Sequence, residues 1–485
     1  MAAETRQHTD DQVFEIEQRG IQLVPASERH GKPSDLFWMW LGTNLNIFYI
    51  INGIVIVGLG LSFGQALLAI ALGSLSFFFV GLCSLQGPKT GTSAFMISRA
   101  AFGPNGNRAP TLFNWFNCVG YEASGIALIV LAVIALFAQA GVHASTGLKA
   151  VIIFGAAAVQ FVMPLYGHQT IMTCLRWLSY LFVPLFIIMA IVVAPKVHLA
   201  SGSHGAGWAM VTLGVALIAA GGGLGWTTMG NDYSRYLPAD TPQKRIFWAA
   251  SMSGMLASAA LAVLGAAIAS IVKGSTDPIS GLPQALPSWV LVPYLVLAIL
   301  TVLGVNTIDL YSSGLTLQAI GVPVKRWMAA LIDLSICIAL TFFAIFSSSF
   351  NHLYGELLSL LILFFAPWVG IYLADWLLRR GRYDAQSLVN GGRSGRYWRN
   401  GGFHIPGVVA MIAGMGAVAL WLDDAPTYVG PLSSRTGGSD LSMFMGLAVG
   451  AGLYWLLARR SVAVETLIAA DRDAVTAAAV PDLQA

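Results

Sequence analysis

Apolar runs of about twenty residues recur along almost the whole of this 485-residue chain, with LVPYLVLAILTVLGV and LGVALIAA lying inside two of them. A bilayer core about 30 Å thick needs roughly 20 apolar residues per crossing helix. Repeated membrane crossing is the fold constraint that follows. Composition agrees, because only 10% of residues are charged, against about 25% in soluble globular domains. Strands of a membrane barrel would alternate apolar and polar side chains over about ten residues, whereas these runs are apolar on every side. The chain reads as an all-α integral membrane bundle without a separate soluble domain.

Twelve transmembrane helices follow from the pattern, at 36–61, 64–86, 109–140, 147–166, 171–194, 208–230, 246–272, 289–318, 327–349, 353–378, 403–422 and 441–458. Charge tests the count, since Lys and Arg concentrate on the cytoplasmic side. With the N-terminus inside, all of the 26 Lys and Arg residues except Lys149, Lys196, Lys273 and Arg435 fall on inner segments. Both termini are therefore expected in the cytoplasm, in a plasma or bacterial inner membrane. The expected organisation is an N-terminal segment 1–35, helices one to five at 36–194, helices six to ten at 208–378, helices eleven and twelve at 403–458, and a tail 459–485. The first 35 residues are polar and hold no cleavable apolar segment, so the first span is expected to lead the chain into the membrane. The basic stretch 379–402 is ordinary retained cytoplasmic charge and does not argue for a nucleic-acid partner. Cys83, Cys118, Cys174 and Cys337 lie inside spans without metal-ligand spacing and read as packing residues, so no metal centre or cofactor is expected.

Structural anchors need only be apolar, so polar and glycine-rich spans carry the functional information. Span one contains LGTNLNIFYIING (41–53), with Asn44 beside Gly42, and span six contains AAGGGLGWTTMGND (219–232). Irregular backbone at membrane depth is tolerated only against protein or a water-filled cavity, and paired interrupted helices point to a transporter's binding site. The three adjacent glycines predict a discontinuous helix, with close helix packing as the alternative. Spans one and six are five helices apart, an odd number, so two five-helix units would run in opposite orientations as an inverted repeat. In span three, Asn114, Asn117, Cys118, Tyr121 and Gly125 share one helical face. Glu122 lies one turn beyond Cys118, and an ionisable residue inside a membrane is either functional or a buried structural partner. In span eight, Asn306 and Asp309 lie on one side. Asp333 and Glu356 are further candidates nearer a water interface, while Pro184 and Pro367 mark flexure points or static kinks.

From about residue 14 to about residue 460 the sequence resembles the purine/cytosine permease family, the nucleobase:cation symporters. The resemblance is carried by FEIEQRGIQLVPASERHGKPSDLFWMWLGTNLNI, QGPKTGTSAFMISRAAFG (86–103), NWFNCVGYEASG, GWTTMGNDYSRYLP, DLYSSGL and APWVGIYLADWLLRRGRYD. It implies a LeuT-like five-plus-five inverted repeat with two additional C-terminal helices, importing nucleobases or related rings with H⁺ or Na⁺. It also implies that Tyr121 and Trp226 sandwich a planar heterocycle beside the unwound backbone of Gly222 and Gly223. Tyr121 stands where the family usually has Trp, and Gly125 where many members place an amide, which leaves the exact ring open. Stacking adds only about 0.5 to 1.5 kcal/mol beyond buried area, so discrimination falls to polar groups that a wrong ring would leave unpaired. Asn117, Glu122, Asn306 and Asp309 are the candidates.

In LeuT-like folds sodium sits between carbonyls of the broken first helix, here near Gly42, and hydroxyls of span eight. The matching span-eight positions are Gly304 and Val305, which carry no side-chain oxygen, with Thr301 and Thr307 as substitutes. A proton needs a titrating carboxyl group, and Glu122 and Asp309 supply two. H⁺ symport is therefore expected, with Na⁺ the alternative. No HExxH, GxSxG or phosphate-loop motif is present, so an embedded enzyme is not expected. Other family substrates such as allantoin, a hydantoin, thiamine or a nucleoside stay open, as does a transporter-like sensor.

Overall fold

A computed structural model describes residues 20–162, 168–197, 206–272, 279–322, 326–346 and 350–478. Residues 1–19 of the expected N-terminal segment, 479–485 of the tail, and Lys273 lie outside the described residues. Among the described residues, nine helices are long and apolar enough to cross a membrane, ten if one bent pair counts as a span, and Thr146–Phe161 and Ile405–Trp421 are shorter apolar helices.

The bent pair is α1 (Pro33–Asn44) and α2 (Ile47–Gly58), which meet at 53°. Asn46 makes the break. Its backbone is extended, its Oδ1 accepts from the Phe48 amide at 2.9 Å, and its Nδ2 donates to the Thr43 carbonyl at 2.6 Å. One side chain thus caps the second half and satisfies the end of the first, which water cannot do at membrane depth.

Then follow α3 (Phe63–Ser74), α4 (Phe77–Cys83), α5 (Arg108–Gln139), α6 (Thr146–Val162), α7 (His168–Val193) and α8 (Trp208–Ala219). After α8 comes one π turn, Ala220–Leu224, in which Gly222 leaves the helical region at φ −111° and ψ −124°. A 3-10 turn at Thr227–Met229 leads into α9 (Gly230–Ser234). The expected discontinuity and its packing alternative both occur, at different glycines. Gly222 interrupts the helix, while Gly223 permits contact: a Cβ there would lie 2.3 Å from the Phe77 nitrogen, and its amide donates to Ser76 Oγ at 3.1 Å.

The remaining long helices are α10 (Gln243–Ala269), α11 (Ser288–Ile320), α12 (Arg326–Phe346), α13 (Phe350–Arg379), α14 (Ile405–Trp421) and α15 (Ser442–Ala478). Helix α5 lies along α11, pinned where Asn114 Nδ2 donates to Thr316 Oγ1 at 3.0 Å and where Gly125 meets Asn306. That register brings Asp309 level with Tyr121 and Glu122. Helix α12 joins them through Asp333, which is buried and accepts from Trp115 Nε1 at 2.7 Å and from the Ser313 hydroxyl. Asp333 is thus an interior tie between three helices, two turns from the start of its own helix. Helices α7 and α13 run unbroken through Pro184 and Pro367. Pro367 is clasped by glycines of α14 and α15, since a Cβ at Gly414 would lie 2.4 Å from its Cβ and one at Gly450 would lie 2.7 Å from its carbonyl oxygen.

Several connections gather on one face. Arg235 donates to the Gly20 carbonyl at 3.0 Å, Arg99 to the carbonyls of Leu388 and Ala319 at 2.9 Å each, and Arg379 pairs with Asp375 and Glu465 at 2.9 Å each. The segment before α1 and the connections after α4, α9, α11 and α13 therefore share a face with the C-terminal half of α15.

Candidate functional site

The two interrupted helices meet through a chain of buried polar contacts. Trp226, 9% exposed, donates its indole N–H to the Tyr49 hydroxyl at 3.0 Å. Tyr49 in turn donates to Asn44 Oδ1, and Asn44 Nδ2 donates to the Trp40 carbonyl at 2.7 Å. Asn44 therefore braces the break from within the protein. Trp40 also meets the Trp226 ring edge-on, with centroids 5.7 Å apart. These contacts fix the Trp226 plane before any ligand arrives.

Tyr121 of α5 approaches the same break from the other side: a Cβ built at Gly225 would lie 3.6 Å from its hydroxyl. Its ring packs edge-on against Phe48 at 5.9 Å and Tyr354 at 6.4 Å. Tyr354 belongs to α13, stacks on Phe48, and donates to Asn52 Oδ1 at 3.0 Å. Tyr121 and Trp226 thus converge on the span-six break while resting on different aromatic neighbours. Trp40, Phe48, Tyr49, Asn52 and Tyr354 are additions that sequence alone did not single out. The signal for Phe48 and Tyr49 was present, because both sit in the turn after the Asn44–Asn46 break.

The other expected residues separate by direction. Asn306 is buried against Gly125, with Nδ2 donating to the Glu122 carbonyl at 3.2 Å and to Gln160 Oε1 of α6 at 2.6 Å. Asp309 is buried, and its Oδ2 has no hydrogen-bond partner. Cys118 lies beside Asn114, 3.9 Å from Nδ2. Asn117 instead reaches a cavity of about 460 Å³ between α5, α12 and α13, walled by Phe113, Phe116, Leu357 and Phe364. Glu122 turns toward α12, where its Oε2 accepts from Cys337 Sγ at 3.6 Å while Oε1 is buried without a partner. Glu356 accepts from the Thr427 hydroxyl at 2.7 Å, near the end of α13 opposite Arg379.

For a cation, the candidate oxygens are sparse. A Cβ at Gly304 would pack against Leu175 and Leu178, and one at Gly42 would lie 2.5 Å from the Leu175 carbonyl, so both positions are filled by α7. Val305 is buried, and the hydroxyls of Thr301 and Thr307 donate within their own helix, to Leu297 and Leu303 carbonyls at 2.9 and 2.7 Å. Among the described residues no group of three His, Cys, Asp or Glu side chains is arranged around a metal position.

After the second break the motif GNDYSRY ties this helix to its neighbours. Asn231 accepts from the Gly87 amide at 2.6 Å and donates to the Tyr372 hydroxyl at 2.6 Å, Asp232 accepts from the Ala94 amide at 3.2 Å, and Arg235 donates to the Tyr311 hydroxyl at 2.9 Å. Freed backbone and aromatic rings where two interrupted helices meet define a membrane protein of the LeuT-like fold.

The chain belongs to the family of permeases for cytosine/purines, uracil, thiamine and allantoin, whose profile matches residues 23–446. Members of this family are transporters, which carry small heterocycles in company with a cation. The putative purine-cytosine permease YxlA of Bacillus subtilis is 27% identical over 92% of this chain and 96% of its own. The purine-cytosine permease fcyB of Emericella nidulans is 25% identical over 91% of this chain and 88% of its own. Among solved structures, Mhp1, a nucleobase-cation-symport-1 family transporter, in a closed conformation with bromovinylhydantoin bound, superposes with a TM-score of 0.74 at 17% identity, covering 92% of this chain and 95% of that one. Its inward-facing conformation gives 0.69 at 18% identity, with the same coverage of both chains.

Proposed function

We propose that this chain imports a nucleobase, cytosine or a purine, by H⁺ symport through alternating access, with the ring held between Tyr121 and Trp226 beside Gly222 and Gly223. The supporting observation is the Trp226–Tyr49–Asn44 chain, which fixes one aromatic plane between two interrupted helices while Tyr121 approaches from α5. A preset plane lowers the ordering cost of binding a flat ligand. Edge recognition falls to Asn306 and Asp309, packed beside Cys118 and Gly125 of α5, while Asn117 faces the cavity between α5, α12 and α13. Twelve crossings, with helices one to five and six to ten as an inverted repeat and the last two apart, fit the nine long helices, the bent pair and the two shorter apolar ones. The basic connections gathered on one face support a cytoplasmic placement of that face, and with it the reading of both termini as cytoplasmic in a cell membrane.

Two carboxylates with an unpartnered oxygen, Glu122 and Asp309, support a proton as the coupling ion. The positions offered for sodium support it further, since Gly304 and Val305 lack side-chain oxygens and α7 fills the space beside Gly304. Import follows if ring and proton together bind the outward state more favourably than either does alone, since a ligand shifts a balance only through unequal affinity.

The departures at Tyr121 and Gly125 favour a second reading, transport of another ring of the allantoin, hydantoin, thiamine or nucleoside type, with Na⁺ in place of H⁺; a sensor that binds without turnover is the third. Proteoliposomes loaded at alkaline pH and diluted into acidic, sodium-free buffer with radiolabelled cytosine or adenine separate them. Accumulation is the expected result. Accumulation only with sodium overturns the proton reading, and binding without accumulation under either ion leaves a sensor.

A further inference from the structure

Asn306 and Gln160 form a buried amide pair whose orientation is fixed by a third group. The Glu122 backbone carbonyl lies 3.2 Å from Asn306 Nδ2, and a carbonyl oxygen only accepts. The atom facing it must be the NH₂, because turning the amide over would set two oxygens against each other. The same nitrogen donates to Gln160 Oε1 at 2.6 Å. Both hydrogens of Nδ2 are then committed, one to α5 and one to α6. Two atoms of the pair are left buried without a partner: Asn306 Oδ1 and Gln160 Nε2. Gly125 is what brings the amide against α5, for a Cβ there would lie 2.3 Å from Oδ1 and 2.5 Å from Nδ2.

Buried polar atoms are nearly always paired, and an unpaired one in a held side chain marks a place for another group. We propose that Gln160 is a positioning residue that holds Asn306 so that it presents Oδ1, an acceptor, to the substrate. The site accordingly selects rings that offer an N–H at that edge and rejects rings that offer only a lone pair or a methyl group there. This inference rests on the proposed binding site, in which Asn306 faces the ligand. Gln160 itself does not touch the ring; it acts through the Nδ2 bond.

The pair is distinct from the aromatic holders. Rings of any kind stack on Trp226 and Tyr121, but an acceptor that cannot turn over reads one hydrogen. Without Gln160, Asn306 is held by the Glu122 carbonyl alone, and the amide is freer to rotate and meet a lone pair with its NH₂. Loss of Gln160 should therefore relax selectivity while leaving the ring held.

Purified full-length protein in proteoliposomes, challenged with cytosine, adenine, uracil, hydantoin and allantoin and the singly N-methylated analogues of each, tests this by competition and by melting shift. For wild type, methylation at one ring N–H is expected to weaken apparent affinity at least tenfold. Gln160→Met, which keeps the volume but offers no acceptor, should shrink that ratio below about threefold with kcat largely kept. Gln160→Glu, whose carbonyl oxygen still accepts from Nδ2, should restore it. In the Asn306→Asp/Gln160→Met double variant, whose carboxyl group presents an oxygen whichever way it turns, the ratio should again be large. A full ratio in folded Gln160→Met, or a Gln160→Glu variant as unselective as the Met one, overturns the inference. If Gln160→Met does not fold, Gln160→Ala takes its place, and a full ratio in that folded variant overturns the inference in the same way. If wild type binds none of the rings, the transporter reading fails and this inference fails with it; if it binds rings and selectivity ignores residue 160, only this inference fails.

Discussion

The Trp226 indole N–H donates to the Tyr49 hydroxyl at 3.0 Å, so each of the two interrupted helices holds the other's central aromatic residue in place. Tyr49 passes the restraint on to Asn44, at the end of α1. Any change of angle between the two helices must therefore break or carry this bond.

Tyr49→Phe removes the acceptor of Trp226 and the donor to Asn44 while keeping the ring. A buried group left without its partner costs about 1–3 kcal/mol, and here the cost falls on the arrangement proposed to hold the ligand. The expected outcome is a KM for uptake raised roughly five- to tenfold, with a smaller change in kcat and a shift in tryptophan emission. Unchanged KM in a folded variant would remove Tyr49 from the proposed site.

Gly223→Ala should abolish transport. The added Cβ would lie 2.3 Å from backbone atoms of Ser76 and Phe77, which cannot step aside as a flexible side chain can. Gly355→Ala, where nothing lies within 4 Å, is the matched control and should transport normally. Size-exclusion profiles and uptake of the two variants make the comparison.

Much of this was legible in the sequence, for physical reasons. The breaks could be read because Asn46 and Gly222 are costly in a lipid-spanning helix unless something uses them. The convergence of Tyr121 on the span-six break was implied by the family resemblance, since the helical period of span three gives a face but not what that face meets. Direction around a helix was harder. Glu122 neighbours Tyr121 in sequence, yet about 100° of rotation turns it toward Cys337, while Asn306 crosses to lie against Gly125. Partners on distant helices, such as Gln160 for Asn306 and Asp333 for Trp115, leave no local periodic trace.

Glu122→Gln and Asp333→Asn should separate a coupling carboxylate from a structural one. Glu122 keeps an oxygen without a partner, whereas both oxygens of Asp333 accept hydrogen bonds, from Trp115 and Ser313. Glu122→Gln is expected to lose accumulation driven by a pH gradient yet retain exchange of labelled for unlabelled substrate. Asp333→Asn is expected to lower the melting temperature, at a cost of about 1–3 kcal/mol, while its uptake stays pH-driven. PH-driven accumulation that survives Glu122→Gln excludes Glu122 as the proton carrier.

His404, at the start of α14 and 2% exposed, should make the protein acid-sensitive in a predictable range. Its Nδ1 lies 2.9 Å from the Ala101 carbonyl, which only accepts, so Nδ1 carries the hydrogen and the buried Nε2 is a bare lone pair with no partner. Burial, with the Arg399 guanidinium nearby, pushes its pKa down to about 4, against about 6.5 for an imidazole in the unfolded chain. Because the folded value is the lower one, the unfolded chain binds the proton more readily. The stabilisation is complete above pH 6.5 and is lost as pH falls toward 4. Between pH 7.5 and pH 5 the loss is roughly 2 kcal/mol by linkage. Over that interval wild type should therefore lose more of its melting temperature in detergent than a variant without the imidazole. His404→Gln, which keeps a donor for the Ala101 carbonyl and has nothing to titrate, should show a flatter profile. Equal acid sensitivity in both proteins would assign the effect to other groups.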